Sequence, residues 1–268
     1  MLIITDELAQ RLELAEAADA ADCAEAACSL DPTRCASVAS VAGGYLTFCG
    51  PSSPLTHAIG VGMTGPVSIE QLDEIEEFFA SRDAPVSIDV TPHTDPALHE
   101  MLSDRDYKIS EFSNVLVRAV RPDEPAPQCP SQARVREARQ SESELYARTV
   151  VSGFLSRQDL NDEELIVGRI LFGMPHSKPF FAEVEGEIAG GCGLSVRGGV
   201  ASCFGDSTLP VFRGRGVHTA MICARIAEAI SAGCDIMTAG TQPGSASQRN
   251  YQRLGFTVAY SKVTMVLE

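Results

Sequence analysis

The sequence lacks several features that mark common classes of protein. No apolar run in its 268 residues approaches the roughly 18 residues needed to span a bilayer, and the opening MLIITDELAQ has neither the basic start nor the apolar core of a signal peptide. The nine cysteines form no Cys-x-x-Cys pair and the five histidines no His-x-x-His pair, which argues against a disulfide framework and a zinc site. We therefore expect a cytoplasmic protein that binds neither a metal nor a membrane.

Basic residues are scarce and unevenly placed. The net charge is −15, and residues 1–120 carry only 6 Lys and Arg against 20 Asp and Glu. Residues 121–268 carry 15 against 16. This balance argues against a nucleic-acid partner, and only the second half could hold a polyanionic small molecule without opposing it electrostatically.

One proline-rich segment divides the chain. Residues 121–132, with the sequence RPDEPAPQCPSQ, contain four prolines, which disfavour regular structure and favour a stiff linker. The residues on either side, 1–120 and 133–268, each alternate between helical and strand-like apolar spacing. We predict an α/β (α+β) fold of two domains, each with a mixed central sheet flanked by helices.

The two halves match each other when one is shifted by 149 residues. The shift pairs the segment that begins at Met101, MLSDRDYKISEFSNVLV, with the segment that begins at Asn250, NYQRLGFTVAYSKVTMV. It also places the predicted strand Val86–Val90 on Asp235–Ala239. Element order and apolar phase thus predict one fold used twice, although two unrelated α/β halves could match in the same way.

A glycine-rich turn precedes a predicted helix in the second half. Its sequence, RGRGVHT, runs from Arg213 to Thr219. The first amides of a helix lack partners within the helix, and glycines let a phosphate approach the backbone, so this turn predicts an anion site. It is neither a P-loop nor a dinucleotide motif, because Gly-Lys-Ser/Thr and GxGxxG are absent. Taken alone, the turn could equally be a surface loop with solvated arginines.

A second block, SQRNYQRLGF, begins at Ser247. Together the two blocks resemble the GNAT superfamily of N-acetyltransferases. The family's first signature is Arg/Gln-x-x-Gly-x-Gly/Ala, in which Arg213 and Gly216 fill the first and fourth positions. Its second signature is a tyrosine four residues before Gly-Phe, which Tyr251 fills. Two tandem GNAT-like domains would be similar to the arrangement of mycothiol synthase-like members.

The resemblance implies acetyl-CoA as cosubstrate and assigns roles to several residues. Tyr251 would be the general acid that protonates the thiolate, although it could instead only pack beside Leu254. Neither Glu183 nor Asp206 can be assigned as general base. The cofactor-binding residues would be those of the turn and helix start, those of the preceding strand end, and one before the tyrosine: Arg213, Gly214, Arg215, Gly216, Val217, His218, Thr219, Leu209, Val211 and Asn250.

Two departures from the family pattern bear on function. His218 occupies the sixth position, where the family has Gly or Ala, and it could either assist or obstruct coenzyme A. The first half has TGPVSI, from Thr64 to Ile69, in place of the turn, and Leu102 in place of the tyrosine, which indicates a degenerate copy.

We therefore expect an N-acetyltransferase in which a small, cationic amine attacks acetyl-CoA directly. The alternatives are a non-catalytic acyl-CoA-binding or scaffold protein, and transfer to a hydroxyl or thiol. Oligomeric state is open, and a homodimer is the default expectation.

Overall fold

The computed structural model describes residues 2–129 and 131–268, so Met1 and the linker residue Pro130 lie outside it. The chain forms two compact units. The first comprises the chain up to Val115 together with Ala259–Glu268, and the second comprises Leu116–Val258. This division differs from the predicted domains, 1–120 and 133–268, because the last ten residues belong to the first unit.

The elements of the first unit are α1 (Asp6–Leu30), β1 (Ser37–Val41), β2 (Gly44–Phe48), β3 (His57–Ile59), α2 (Ile69–Ala80), β4 (Val86–Val90), α3 (Pro96–Asp104), β5 (Lys108–Ala119) and β11 (Thr257–Leu267), and the last two extend into the second unit. Its sheet has the strand order β1-β2-β3-β4-β11. β1, β2 and β3 are antiparallel neighbours, β3 and β4 are parallel, and β11 lies antiparallel to β4.

The elements of the second unit are β6 (Arg134–Glu137), α4 (Ser143–Leu155), α5 (Asp162–Gly173), β7 (Ser177–Val184), β8 (Glu187–Arg197), β9 (Val200–Thr208), α6 (Val217–Ser231), β10 (Ile236–Thr241) and α7 (Ala246–Arg253). Its sheet has the strand order β10-β9-β8-β7-β6. β6 to β9 are antiparallel neighbours, whereas β9 and β10 are parallel. The mixed α/β architecture agrees with the predicted fold class. The linker residues that the structure describes, 121–129 and 131–132, contain no helix or strand.

The predicted repeat is visible in the element boundaries. A shift of 149 residues brings α2, β4, α3 and β5 onto α6, β10, α7 and β11 to within one or two residues at their starts. The turn before the last strand also repeats. The amide of Tyr107 donates to the carbonyl of Leu102 at 3.1 Å, and that of Phe256 donates to the carbonyl of Tyr251 at 3.2 Å.

The residue pattern over 37–49 alone predicts one strand-like run, but the structure forms a hairpin there. β1 and β2 pair from Ser37–Phe48 to Val41–Gly44, and the turn between them uses positive φ at Ala42 (+49°) and Gly43 (+80°). Apolar residues continue through this turn, so the hydrophobic pattern hides it.

Candidate active site

A cleft forms in the second unit where two parallel strands separate. β9 and β10 pair from Val200–Ile236 to Cys203–Ala239, and β9 then continues to Thr208 paired with β8 but not with β10. Just beyond the last pair, Gly205 and Asp206 together lie opposite Cys192 of β8. This is a β-bulge, a feature that bends a strand and redirects its side chains.

The N-terminus of α6 lies at this cleft and can bind an anion. The cap residue is Gly216, whose φ of +76° only glycine adopts easily. Because glycine has no side chain to cap the helix, the amides of Val217, His218 and Thr219 are available for a ligand at the positive end of a 15-residue helix.

The corresponding helix of the first unit is closed to a ligand. Ser68 caps α2 and accepts from the Gln71 amide at 3.3 Å, while the Gln71 side chain accepts from the Ser68 amide at 2.9 Å. The amide of Val67 donates to Asp95 at 2.9 Å. Side chains thus occupy the amide of the third residue of α2 and the amides of the two residues before the helix, whereas no side chain caps the start of α6.

A cavity of about 530 Å³ opens beside α6. It contains seven of the ten predicted cofactor residues, whereas Leu209, Val211 and Arg215 are not among the lining residues described. The lining residues are Gly153, Asp206, Ser207, Thr208, Phe212, Arg213, Gly214, Gly216, Val217, His218, Thr219, Ala246, Ser247, Asn250 and Arg253.

The strand-end prediction needs a correction. The amide of Leu209 already donates to the carbonyl of Ala189 on β8 at 2.9 Å, and Val211 lies exposed in a 3₁₀ turn that begins at Pro210. Because backbone groups of successive strand residues face opposite edges, we expect the amide of Thr208, which lines the cavity, to face away from β8. The sequence places the strand end at Leu209 to Val211, whereas β9 ends at Thr208.

The two arginines of the turn have protein partners. Arg213 donates to the carbonyl of Gly153 at 2.7 Å and to Ser156 Oγ at 2.9 Å, so it fixes the end of α4 while still lining the cavity. Arg215 points to Glu185, with 3.5 Å between Nη2 and Oε1. Because both arginine side chains contact protein groups, the donors of this turn that face a ligand would be the backbone amides of α6.

The predicted general acid, Tyr251, lies in a buried hydrogen-bond network. Its side chain is completely buried, and its hydroxyl donates to Asp206 and accepts from Arg225 Nη2 at 3.0 Å. Arg225 is also completely buried and bonds Asp206 and the carbonyl of Gly193. Asp206 reaches the cavity lining, whereas Tyr251 lies behind it.

The network sets the charges of its members. Burial raises the pKa of Tyr251 well above its ordinary value, so the phenol keeps its proton at neutral pH. Burial also disfavours the charged form of Asp206, but the positive charge of Arg225 outweighs this effect and holds the pKa of Asp206 well below its ordinary value. Asp206 is therefore an anion at neutral pH and a weak base.

His218 joins the same network from the helix start. Its Nε2 lies 3.5 Å from Asp206 Oδ2, and its Nδ1 lies 3.0 Å from Asn250 Nδ2. The imidazole also packs edge-on against the ring of Tyr251, with 5.6 Å between centroids. The His218 side chain thus contacts the hydrogen-bond network of Tyr251 and Asp206.

Sequence reasoning missed Arg225 and Arg253 and left Asp206 unassigned. A lone arginine at a helical apolar position, in MICARIAEAI, is the available signal for Arg225. The other base candidate, Glu183, pairs with Arg136 at 2.5 Å and lies outside the lining described.

Residues 2–129 and 131–268 contain no group of three or more His, Cys, Asp or Glu side chains placed to hold a metal ion. None of their helices is both long and apolar enough to cross a bilayer.

Comparisons with known proteins agree with this geometry. Residues 140–256 match the model of the Acetyltransferase (GNAT) family. The fold is similar to that of a GCN5-related N-acetyltransferase from Kribbella flavida (TM-score 0.65, 16% identity, 91% of this chain and 94% of that chain). It is also similar to one from Sphaerobacter thermophilus (0.56, 16%, 74% and 67%) and to a tandem GNAT protein from the clavulanic acid biosynthesis pathway (0.56, 12%, 74% and 69%). No curated protein matches the sequence significantly.

Proposed function

We propose that the second unit acetylates a small, cationic amine, because residues 140–256 match the model of the GNAT acetyltransferase family, whose members transfer acyl groups from acetyl-CoA. The observation that carries this proposal is the uncapped start of α6 beside the separated ends of β9 and β10. The first feature suits a pyrophosphate, and the second offers unpaired backbone to an extended pantetheine arm.

The residues present fit acetyl-CoA. The amides of Val217, His218 and Thr219 would bind the pyrophosphate, and Asn250 and Arg253 also line the cavity. The amide of Thr208, which we expect to face away from β8, would bond the pantetheine arm or the thioester carbonyl. A backbone amide held in this way stabilises the negative charge that develops on the carbonyl oxygen during attack.

The leaving group would be protonated by Tyr251. The neutral amine attacks the thioester carbon, the carbon–sulfur bond breaks, and the phenol, once its hydroxyl has turned from Asp206 toward the cavity, gives its proton to the sulfur. Arg225, 3.0 Å from the phenolic oxygen, would stabilise the phenolate. The proton lost by the acylated nitrogen restores the phenol.

Charge supports a cationic acceptor. The protein carries a net charge of −15, of which residues 1–120 carry −14, and such a charge attracts cations from a distance. Within the cavity, the carboxylate of Asp206 is 17% exposed and stays charged at neutral pH, with Arg225 as its counter-charge. A polyamine, an aminoglycoside or a lysine-bearing peptide carries the positive charge that this negative potential would attract.

Thiol release tests the proposal. The full chain and acetyl-CoA are incubated with a polyamine, an aminoglycoside, a lysine peptide and a hydroxyl acceptor, and free coenzyme A is measured with 5,5′-dithiobis-nitrobenzoate. We expect release with at least one amine above the acceptor-free rate. Calorimetric binding of acetyl-CoA without release across the panel would instead favour a non-catalytic acyl-CoA-binding protein. Release only with the hydroxyl acceptor would identify an O-acyltransferase.

A further inference from the structure

His218 carries an inference that goes beyond the family pattern, since a small residue is usual at its position. We propose that His218 is a positioning residue. While Tyr251 protonates the coenzyme A thiolate, the Nε2–H group of His218 takes the place of the Tyr251 hydroxyl as the hydrogen-bond donor to Asp206. This inference rests on the proposed function and deepens it.

Asn250 determines which ring nitrogen of His218 carries the proton. Arg253 Nη1 donates to Asn250 Oδ1 at 2.9 Å, so the other end of that amide, Nδ2, faces His218. An amide nitrogen can only donate, and His218 Nδ1 must accept at 3.0 Å. The proton of the neutral imidazole therefore lies on Nε2.

That Nε2 proton is a donor whose bond is incomplete. The atom is buried and has no hydrogen-bond partner among the residues that the structure describes. Asp206 Oδ2 lies 3.5 Å away, beyond the ordinary length of such a bond, and Oδ2 is the oxygen that accepts from the Tyr251 hydroxyl.

Proton transfer from Tyr251 to the thiolate changes which groups donate hydrogen bonds to Asp206 Oδ2. When the Tyr251 O–H bond breaks and the S–H bond forms, Asp206 Oδ2 loses its donor, while Arg225 remains on Oδ1 and on the phenolate. A buried carboxylate oxygen without a donor is costly, and a small movement of the His218 ring would supply one. The charged groups that face the imidazole are then Asp206, the phenolate, Arg225 behind them and Arg253 beyond Asn250.

Two substitutions separate this role from space filling. His218→Ala introduces a residue that is common at this position in the family and should leave the acetyl-CoA Kd within about threefold, while kcat falls roughly tenfold. His218→Gln keeps an acceptor for Asn250 and a donor for Asp206, and it should restore most of the lost kcat. Equal loss in both variants, or full kcat in His218→Ala, would overturn the proposal.

A second measurement does not depend on turnover. Nitrogen-15 NMR of the full chain, with the His218→Gln variant used to assign the signal among the five histidines, should show a neutral ring protonated on Nε2. A ring protonated on Nδ1 would overturn the proposal even in an active enzyme. If no acceptor releases coenzyme A, the proposed function fails, and this measurement still decides the placement of the proton.

Discussion

At the scale of single residues, the site depends on a buried arginine. Arg225 has no exposed surface, and it satisfies its guanidinium with Asp206, Tyr251 and two backbone carbonyls. Such a pair contributes little net stability, because desolvation offsets the attraction between the charges. What it provides is orientation, since it fixes the Tyr251 oxygen beside a charge that can stabilise a phenolate.

Tyr251→Phe tests the proton donor. We expect kcat to fall about 100-fold, because general acid catalysis typically contributes 10²–10⁴, while the acetyl-CoA Kd stays near the wild-type value. Tyr107→Phe is a matched control, because it also removes a buried hydroxyl that donates to a carboxylate, Glu76, at 3.1 Å but lies in the first unit. Steady-state kinetics and calorimetry give both constants. Unchanged kcat in Tyr251→Phe would remove the residue from the mechanism.

At the scale of elements, the turn before α6 has the conformation that anion binding needs. Gly216→Ala puts a methyl group at a φ of +76° and 3.2 Å from Ser131 Oγ, so the turn must distort and its amides lose their alignment. We expect the acetyl-CoA Kd to rise about tenfold, which corresponds to 1.4 kcal/mol.

Gly233→Ala is the control for that substitution. Gly233 follows the other end of α6 at a φ of +70°, with open space around its added methyl group. Gly233→Ala should lower the melting temperature about as much as Gly216→Ala does, while leaving acetyl-CoA binding unchanged. Equal loss of affinity in the two variants would indicate a general effect of helix stability.

Local patterns account for what could be predicted from the sequence. Glycine spacing identified the turn before α6, and the helical spacing of the apolar residues in SIEQLDEIEEFF indicates α2. Partners that lie far apart in sequence could not be predicted in the same way. Arg225 meets Asp206 across 19 residues because a bulge in β9 redirects the carboxylate, and no local pattern encodes that meeting.

At the scale of the whole molecule, the excess of acid has a consequence inside the first unit. Glu13 is buried with Tyr260 and Lys262, and Lys262 also contacts Glu16 and Asp89. Three carboxylates thus share one lysine. Burial raises the pKa of Glu13 from 4.5 to about 7.

This shift predicts a stability that falls as pH rises. Between pH 4.5 and 7 the folded protein holds a proton on Glu13 that the unfolded chain releases, so folding is favoured on the acid side of that window. Glu13→Gln removes the free-energy cost of ionising this buried carboxyl. The variant should therefore be more stable than wild type at pH 8 by up to about 3 kcal/mol, with a smaller difference at pH 5. Urea unfolding at both pH values measures this, with the exposed Glu25→Gln on the same helix as control. A difference that does not change with pH would contradict the assignment.

The C-terminal segment, Ala259–Glu268, belongs to the first unit, and a truncation can test this assignment. Val263–Leu267 of β11 pair with β4, and Val263, Met265 and Leu267 pack on the core of the first unit. Deleting Ala259–Glu268 should therefore make the first unit sensitive to protease, whereas acetyl-CoA binding should persist, because the cavity contains no residue of that segment. Deletion of residues 2–4, ahead of α1, is the control and should change neither property. Loss of acetyl-CoA binding with a protease-resistant first unit would show that the segment belongs to the catalytic domain, as the sequence alone predicts.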